Sequence, residues 1–236
     1  MIHKNLTPFY WGPKVTSRKP PQAEVAVCVR GVFELIPGQP LKAIEDPIDQ
    51  GFMSGELFAV EDIDQTGPLI YPGDFADWKP FSEALLKGTA YPPAGEDVGC
   101  TVGFGVGDWS KTLRVLGPRT YVPGMLFGGT LSEPKPFKQM PLSWENAYGG
   151  EGYGPNPAGK GFAGPEMATI ELPAQPLKKP GDNRVEPAGF GPISPNWPQR
   201  IGKRGKKYGK KWRATRYPFF SEDFDWTYFN VAPEDQ

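Results

Sequence analysis

Proline and glycine are spread so evenly along this chain that they leave almost no room for helices. The longest segment free of both residues is 219–232. A proline inside a helix costs about 3 kcal/mol and a glycine about 1 kcal/mol relative to alanine. We therefore predict a mainly β protein, in which "FSEALLK" (81–87) is the one credible short helix.

Three segments carry strand patterns. In "EVAVCVRGVFEL" (24–35) the side chains alternate between two faces, and Gly31 interrupts the alternation as a bulge does. One of these faces is apolar and consists of Val25, Val27, Val29, Phe33 and Leu35. The segment "CTVGFGVGDWSKTLRVLG" (100–117) predicts a hairpin with its turn at 107–111, and "GELFAVEDI" (55–63) predicts a weaker strand.

The composition indicates an ordered chain with long loops. The 30 glycines and 29 prolines among 236 residues would by themselves suggest disorder, but 13% aromatic and 38% hydrophobic residues provide a core. We predict one domain over 1–236, an antiparallel β-sandwich or open barrel with long Pro/Gly-rich ordered loops and very few short helices. Its expected parts are a strand-rich region 1–116, a loop-rich region 117–218 that wraps around the sheet, and a final strand 219–232.

Charge and cysteine usage indicate where such a chain works. Its formal net charge of -1 provides no overall field that attracts nucleic acid or a membrane. Cys28 and Cys100 lack metal-ligand spacing, so we expect free thiols in a reducing compartment. The N-terminal segment lacks the apolar region of a signal peptide, and no apolar run approaches the ~20 residues of a membrane span. We expect a cytoplasmic protein.

The residues permit little catalytic chemistry. His3 is the only histidine, which excludes Ser-His-Asp and Cys-His schemes and histidine-rich metal sites. A pair of carboxylates, Glu145 beside Trp144 and Glu151 nearby, keeps open a carbohydrate-active enzyme. The alternative is that Glu145 accepts hydrogen bonds from loop amides. We expect a binding protein without metal or cofactor.

Two motifs resemble ligand-binding loops only in part. "DIDQTG" (62–67) begins like an EF-hand loop, but Gly73 stands where a bidentate Glu is needed, so we expect no calcium. In "GFGVGD" (103–108) alternate glycines leave one strand face without side chains. We expect another backbone to pack there; the alternative is a face open to a partner.

The strongest charge feature is "RIGKRGKKYGKKWRATR" (200–216), with nine Lys or Arg, no acid, and Tyr208 and Trp212 between them. Such a segment suits phosphate backbones and bases. Acidic residues follow directly, however, at Glu222, Asp223 and Asp225. A solvated loop or a surface for an acidic protein is therefore favoured over nucleic acid.

Several motifs rich in Trp, Gly, Pro and Asn occur in a fixed order along the chain. They are "LIYPGDFADWKPFSEALLKGTAYPP" (69–93), "KTLRVLGPRTY" (111–121), "MPLSWENAYGG" (140–150), "NPAGKGF" (156–162), "PAGFGPISPNWPQR" (187–200) and "FNVAPEDQ" (229–236). Together they resemble a bacterial domain family encoded beside type VI secretion spike genes. Relatives continue beyond the position of Gln236, so we expect a chain truncated at its C-terminus.

The resemblance implies an adaptor or chaperone. Such a protein stabilises a toxic effector, often one with a PAAR-type tip domain, and helps load it onto the VgrG spike. The family provides no catalytic residues, so the matching and basic positions are candidates for partner binding. These candidates are Trp144, Glu145, Tyr148, Asn156, Phe162, Phe190, Trp197, Arg200, Lys206, Lys207 and Trp212.

Overall fold

The protein was analysed as a computed structural model, which describes residues 6–16, 24–44, 52, 56–58, 67–125 and 128–236. Strands make up 27% of these residues and helices 10%, and the sheets are antiparallel without a closed barrel. The predicted mainly β class is confirmed. Of the weaker strand expected at 55–63, the structure describes a two-residue strand, and the EF-hand-like segment falls almost entirely outside the described residues.

The strands within the described ranges are short. They are β1 (Tyr10–Val15), β2 (Val25–Arg30), β3 (Phe33–Glu34), β4 (Lys42–Ala43), β5 (Leu57–Phe58), β6 (Leu69–Tyr71), β7 (Thr89–Ala90), β8 (Gly99–Val106), β9 (Trp109–Leu116), β10 (Tyr121–Pro123), β11 (Gly129–Leu131), β12 (Met140–Pro141), β13 (Tyr148–Gly149), β14 (Lys160–Gly161) and β15 (Ile170–Glu171). The helices are α1 (Pro198–Ile201), α2 (Lys210–Thr215) and the 3-10 helices Trp144–Asn146, Gly202–Arg204 and Trp226–Phe229.

Spatial contacts divide the chain into two compact units. Unit 1 consists of Met1–Leu57, Tyr71–Pro80 and Arg204–Phe229. Unit 2 consists of Phe58–Ile70, Phe81–Lys203 and Asn230–Gln236. The expectation of one domain with the three parts proposed above stays a prediction.

Unit 2 is built on a three-stranded antiparallel sheet with the order β15-β9-β8. The β8–β9 hairpin confirms the one expected at 100–117, but its turn contains only Gly107 and Asp108 because Val106 already pairs with Trp109. Gly107 has a φ of +60°, which two-residue hairpin turns favour. Leu113 and Val115 in β9 are fully buried, so the sheet provides the floor of the core.

The glycine face of β8 differs from the expectation of close backbone packing. A Cβ atom added to Gly103 would meet no atom within 4 Å, so no backbone approaches there. At Gly105 an added Cβ would lie 2.9 Å from the Trp109 carbonyl oxygen of the paired strand. The close contact therefore comes from the hairpin partner, and the face is open at Gly103.

Residues 81–87 form no helix, contrary to the prediction. They run as an extended segment whose polar groups bond to distant residues in unit 2. The Asn230 side-chain amide donates to the Phe81 carbonyl at 2.9 Å, and the Glu83 carboxylate accepts the Ala232 backbone N–H at 2.5 Å. Because these groups are bonded across the fold, the segment gains nothing from helical hydrogen bonds.

Unit 1 contains the antiparallel pair β1–β2, in register from Tyr10 opposite Arg30 to Val15 opposite Val25. One face of this pair packs on aromatic rings. A Cβ atom added to Gly12 would lie 3.0 Å from the Phe52 ring and 3.2 Å from the Phe75 ring. Glycine is therefore required for the strand to approach these rings.

The expected final strand over 219–232 is also wrong. The described residues here form turns and the 3-10 helix Trp226–Phe229. Asp225 directs this turn because its carboxylate accepts the Thr227 N–H at 2.9 Å. The aromatic residues suggested a strand, but they pack on one another instead: Phe220 and Phe224 stack with ring centroids 4.0 Å apart.

Candidate functional site

The motif region 141–162 folds back on itself in unit 2. After the 3-10 helix Trp144–Asn146 the chain enters β13, makes a loop of turns, and returns as β14 parallel to β13. The Gly150 N–H donates to the Asn156 carbonyl at 2.9 Å, and the Phe162 N–H donates to the Gly149 carbonyl at 2.9 Å. The glycine-rich loop is thus fixed by its own backbone hydrogen bonds.

Asn156 is the centre of this loop and is fully buried. Its side-chain amide donates to the Trp144 carbonyl at 2.8 Å and to the Tyr148 carbonyl at 3.1 Å. A Cβ atom added to Gly159 would lie 2.4 Å from this amide nitrogen, and one added to Gly149 would lie 2.1 Å from the Asn156 carbonyl oxygen. These two glycines are therefore needed for the backbone to close around the asparagine.

Trp144 links the loop to the second motif region, 187–200. Its indole N–H points at the Gly191 and Pro192 carbonyl oxygens, each 3.1 Å away. The Trp144 ring meets the fully buried Trp197 ring edge to face, with centroids 5.6 Å apart. The two motifs occur together in the sequence because they form one core.

A second aromatic cluster lies on the other side of the loop. Tyr148 packs against Tyr153 with centroids 5.3 Å apart, and Tyr153 stacks on Phe162 at 4.9 Å. The Tyr153 hydroxyl donates to the Val185 carbonyl at 2.8 Å. Burial raises the pKa of both tyrosines above the ordinary value, so both are neutral packing groups at physiological pH.

Most of the candidate residues in unit 2 belong to the core. The buried ones are Trp144, Tyr148, Asn156, Phe190, Trp197 and Arg200. Arg200, whose guanidinium donates to the Ile193 carbonyl at 2.7 Å, also stabilises a loop. Phe162 is half-buried. The structure thus brings these residues together as a scaffold, and their contact with a partner stays a prediction.

Glu145 is exposed on the 3-10 helix and is not held by loop amides in the described part of the chain. A cleft of about 380 Å³ lies beside Trp144, and its lining includes the carboxylates of Glu186, Glu234 and Asp235. Neither Glu145 nor Glu151 belongs to the described lining of this cleft. The structure therefore gives no support to the carboxylate pair that the carbohydrate-active alternative requires.

The basic candidates lie in unit 1. Lys206 and Lys207 precede α2 and are exposed, and Trp212 within α2 is half-buried. Trp212 packs edge to face against Tyr208 at 4.8 Å and against Tyr217 at 5.5 Å. We call the exposed cations of this segment the basic patch. Its members are Lys206, Lys207, Lys210, Lys211 and Arg213.

One surface of unit 1 was not anticipated as a site. The apolar face of β2 points outward, with Val25, Val27 and Val29 exposed by 61%, 48% and 60%. Opposite Val25 on β1 is Val15, which is 68% exposed. The strand register adds Pro13 to this face, which we call the valine face. The sequence showed the alternation but not which side faces solvent.

A buried ion-pair cluster in unit 2 was also missed. The Glu171 carboxylate lies 3.0 Å from the Arg119 guanidinium and 3.2 Å from that of Arg114. The Leu177 backbone N–H donates to the same carboxylate at 3.0 Å. The three charged residues come from separate parts of the sequence, and no local motif links them.

Together these features define a mainly β protein with a rigid motif core and extensive exposed surfaces. The chain belongs to the family described as "Uncharacterized protein conserved in bacteria (DUF2169)", which it matches over residues 21–236. No curated protein and no solved structure matches the chain. Within the described ranges, every helix is too short or too polar to cross a bilayer.

Proposed function

We propose that this protein is a cytoplasmic adaptor or chaperone of type VI secretion. It binds an effector, PAAR-linked or of a similar kind, stabilises it, and helps load it onto the VgrG spike. The order of the motifs along the chain supports this proposal through their resemblance to adaptors encoded beside spike genes. The structural observation that carries it is the valine face of β1–β2.

The valine face has the chemistry that a client-holding surface requires. It carries no charged side chain, whereas Lys14 and Arg30 on the opposite face pair with Asp77 and Asp74. Contiguous exposed apolar surface on a folded protein marks an interaction site. Burying it against an apolar segment of an effector would contribute roughly 25 cal/mol per Å² removed from water.

The motif core explains how such a surface can coexist with a large content of glycine and proline. In unit 2 the loops are fixed by buried aromatic rings and backbone hydrogen bonds. Rigid loops lose less conformational entropy when a partner binds than flexible ones. The buried motif residues therefore serve the adaptor as its framework, and exposed residues make the contacts.

The test is co-purification with the effector encoded beside this gene. The variant Val25→Thr/Val27→Thr/Val29→Thr removes apolar groups but keeps the strand propensity and the shape of the side chains. We expect the yield of co-purified effector to fall about tenfold, equivalent to about 1.4 kcal/mol. A matched control replaces three exposed valines of unit 2, in the variant Val98→Thr/Val106→Thr/Val122→Thr, and should retain the effector.

The proposal fails if the wild-type chain forms no complex with the effector, or if the two triple variants retain it equally. Thermal melting of both variants checks that neither is unfolded. Exposed substitutions of this kind usually change stability by less than about 0.5 kcal/mol.

A further inference from the structure

The basic patch is positively charged in a way that the sequence conceals. The acids that follow the basic segment seem suited to neutralise it, but their oxygens are directed elsewhere. The Asp223 carboxylate accepts the backbone N–H groups of Lys206 at 3.0 Å and Lys207 at 2.7 Å. The Asp225 carboxylate accepts the N–H and hydroxyl groups of Thr227 at 2.9 and 2.8 Å.

The patch differs from the other cations of the same segment. Arg204 lies over the Tyr228 ring at 5.1 Å and donates to its hydroxyl at 2.6 Å, and Arg216 donates to the Ser221 carbonyl at 2.9 Å. None of the five patch residues forms an ion pair with any residue that the structure describes. Five exposed cations therefore lie within eight consecutive positions, 206–213.

The backbone below the patch is fixed in place. Gly205 has a φ of +70°, and a Cβ atom added to it would lie 2.2 Å from the Ser221 hydroxyl oxygen. The Ser221 hydroxyl donates to the Arg204 carbonyl at 2.9 Å, and the Glu222 N–H donates to the Lys207 carbonyl at 3.0 Å. Because the segment is held by its return strand, the cations are presented with little backbone entropy left to lose.

We propose that the basic patch binds an acidic segment of a protein partner. Complementary charge increases the association rate and selects the partner. Taking the client as the carrier of this segment rests on the adaptor function proposed above. The valine face would then provide apolar contact and the basic patch would provide charge recognition.

The observations favour an acidic polypeptide over nucleic acid. Without these five cations the formal net charge of the chain changes from -1 to -6, so a long polyanion that extends past the patch meets a net acidic protein. The aromatic rings point the same way. Tyr208 and Trp212 are perpendicular at 89°, and Trp212 and Tyr217 at 84°, so they pack on each other rather than offering parallel faces to successive bases.

The experiment measures binding of fluorescein-labelled polyglutamate and of a labelled thymidine oligonucleotide to the full chain by anisotropy. The charge-reversal variant is Lys206→Glu/Lys207→Glu/Lys210→Glu/Lys211→Glu. The matched control reverses four exposed lysines of unit 2 and changes the net charge equally: Lys135→Glu/Lys138→Glu/Lys178→Glu/Lys179→Glu. We expect the first variant to bind polyglutamate at least about tenfold more weakly and the control to bind like the wild type.

A fourfold Lys→Gln variant at the same patch positions provides the comparison if charge reversal disturbs folding. It should also weaken binding, because the Asp223 carboxylate holds backbone groups that this substitution leaves unchanged. Equal binding of polyglutamate by the patch variants and the wild type overturns the proposal. Tighter binding of the oligonucleotide than of polyglutamate at the same salt concentration overturns it in favour of nucleic acid.

The outcome is separable from that of the adaptor proposal. If polyglutamate binds through the patch but no effector co-purifies, the adaptor function fails and the acidic-partner surface stands. If the effector co-purifies equally with the wild type and the patch variants, the patch is not its binding surface, although the adaptor function stands.

Discussion

Glu171 shows how much a single buried charge can determine in a protein with so few regular elements. Its carboxylate is fully buried between Arg114 and Arg119, and the Arg119 side chain is itself only 8% exposed. Removing one member of a buried ion pair leaves an uncompensated charge, which typically costs 3–5 kcal/mol. We expect Glu171→Gln to lower the free energy of unfolding by about this amount, measured by urea denaturation.

A suitable control for Glu171 is Glu133, whose side chain is exposed. The change Glu133→Gln should alter the free energy of unfolding by less than about 0.5 kcal/mol. Equal unfolding midpoints for the two variants would show that the arginines are adequately solvated without the carboxylate. The large effect expected at position 171 would then be wrong.

Asp223 makes stability depend on pH in the acid range. The N–H groups of Lys207 and Lys206 lower the pKa of its carboxyl to about 2, below the ordinary value of about 3.9. A group with a lowered folded-state pKa stabilises the fold fully above its unfolded-state pKa, and this stabilisation is lost as pH falls towards 2. Asp223→Asn should therefore reduce Tm at pH 6, with a difference that narrows between about pH 4 and 2.

Melting curves of the wild type and Asp223→Asn across this range provide the measurement. Asp108 lies in the hairpin turn and is exposed, so Asp108→Asn is a control of equal charge change. A difference in Tm that stays constant or widens on acidification would contradict the role assigned to Asp223.

At the scale of elements, sequence reasoning succeeded where the determining interactions are local. The β8–β9 hairpin was predictable because alternating apolar residues and a Gly-Asp turn lie within one continuous segment. The motif region 141–162 was recognisable as ordered because its glycines surround Asn156 and its neighbours. Its residues were identified correctly as special, but their burial showed that they build the core.

The failed elements have distant partners in common. Residues 81–87 have helix-forming composition, yet their backbone and side chains bond to 230–236 and to Phe190. Residues 219–232 have strand-forming composition, yet the Asp225 turn and the packing of Phe220 on Phe224 determine their path. Tertiary contacts overrode propensity in both cases, and a single sequence does not reveal them.

The orientation of the valine face could not be predicted for a related reason. A period of two residues assigns side chains to two faces, but it does not say which face meets the core. In β2 the face with Ala26, Cys28 and Arg30 lies inward, since Arg30 pairs with Asp74 and the Cys28 thiol donates to the Asp74 carbonyl. Polar pairing rather than apolar content decides the inner side.

At the scale of the whole molecule, buried apolar groups are distributed very unequally. Among the described residues, Phe224 is the only buried apolar side chain of unit 1, whereas unit 2 contains both core clusters. Since apolar burial is the main stabilising contribution to folding, regions of low burial open more readily than the core. Stability should therefore be distributed unequally along the chain.

Native-state hydrogen exchange tests this expectation. Amides of β9, around Leu113 and Val115, should exchange only through global unfolding, and those of β1 and β2 through local opening at a lower free energy. Leu113→Ala should then reduce the protection of β9 by about 2–5 kcal/mol and leave exchange in β2 almost unchanged. Equal protection of β2 and β9, or an equal loss in both on substitution of Leu113, would mean that the two units open as one. The valine face and the basic patch would then be parts of the most stable region of the molecule, rather than surfaces of its less stable part.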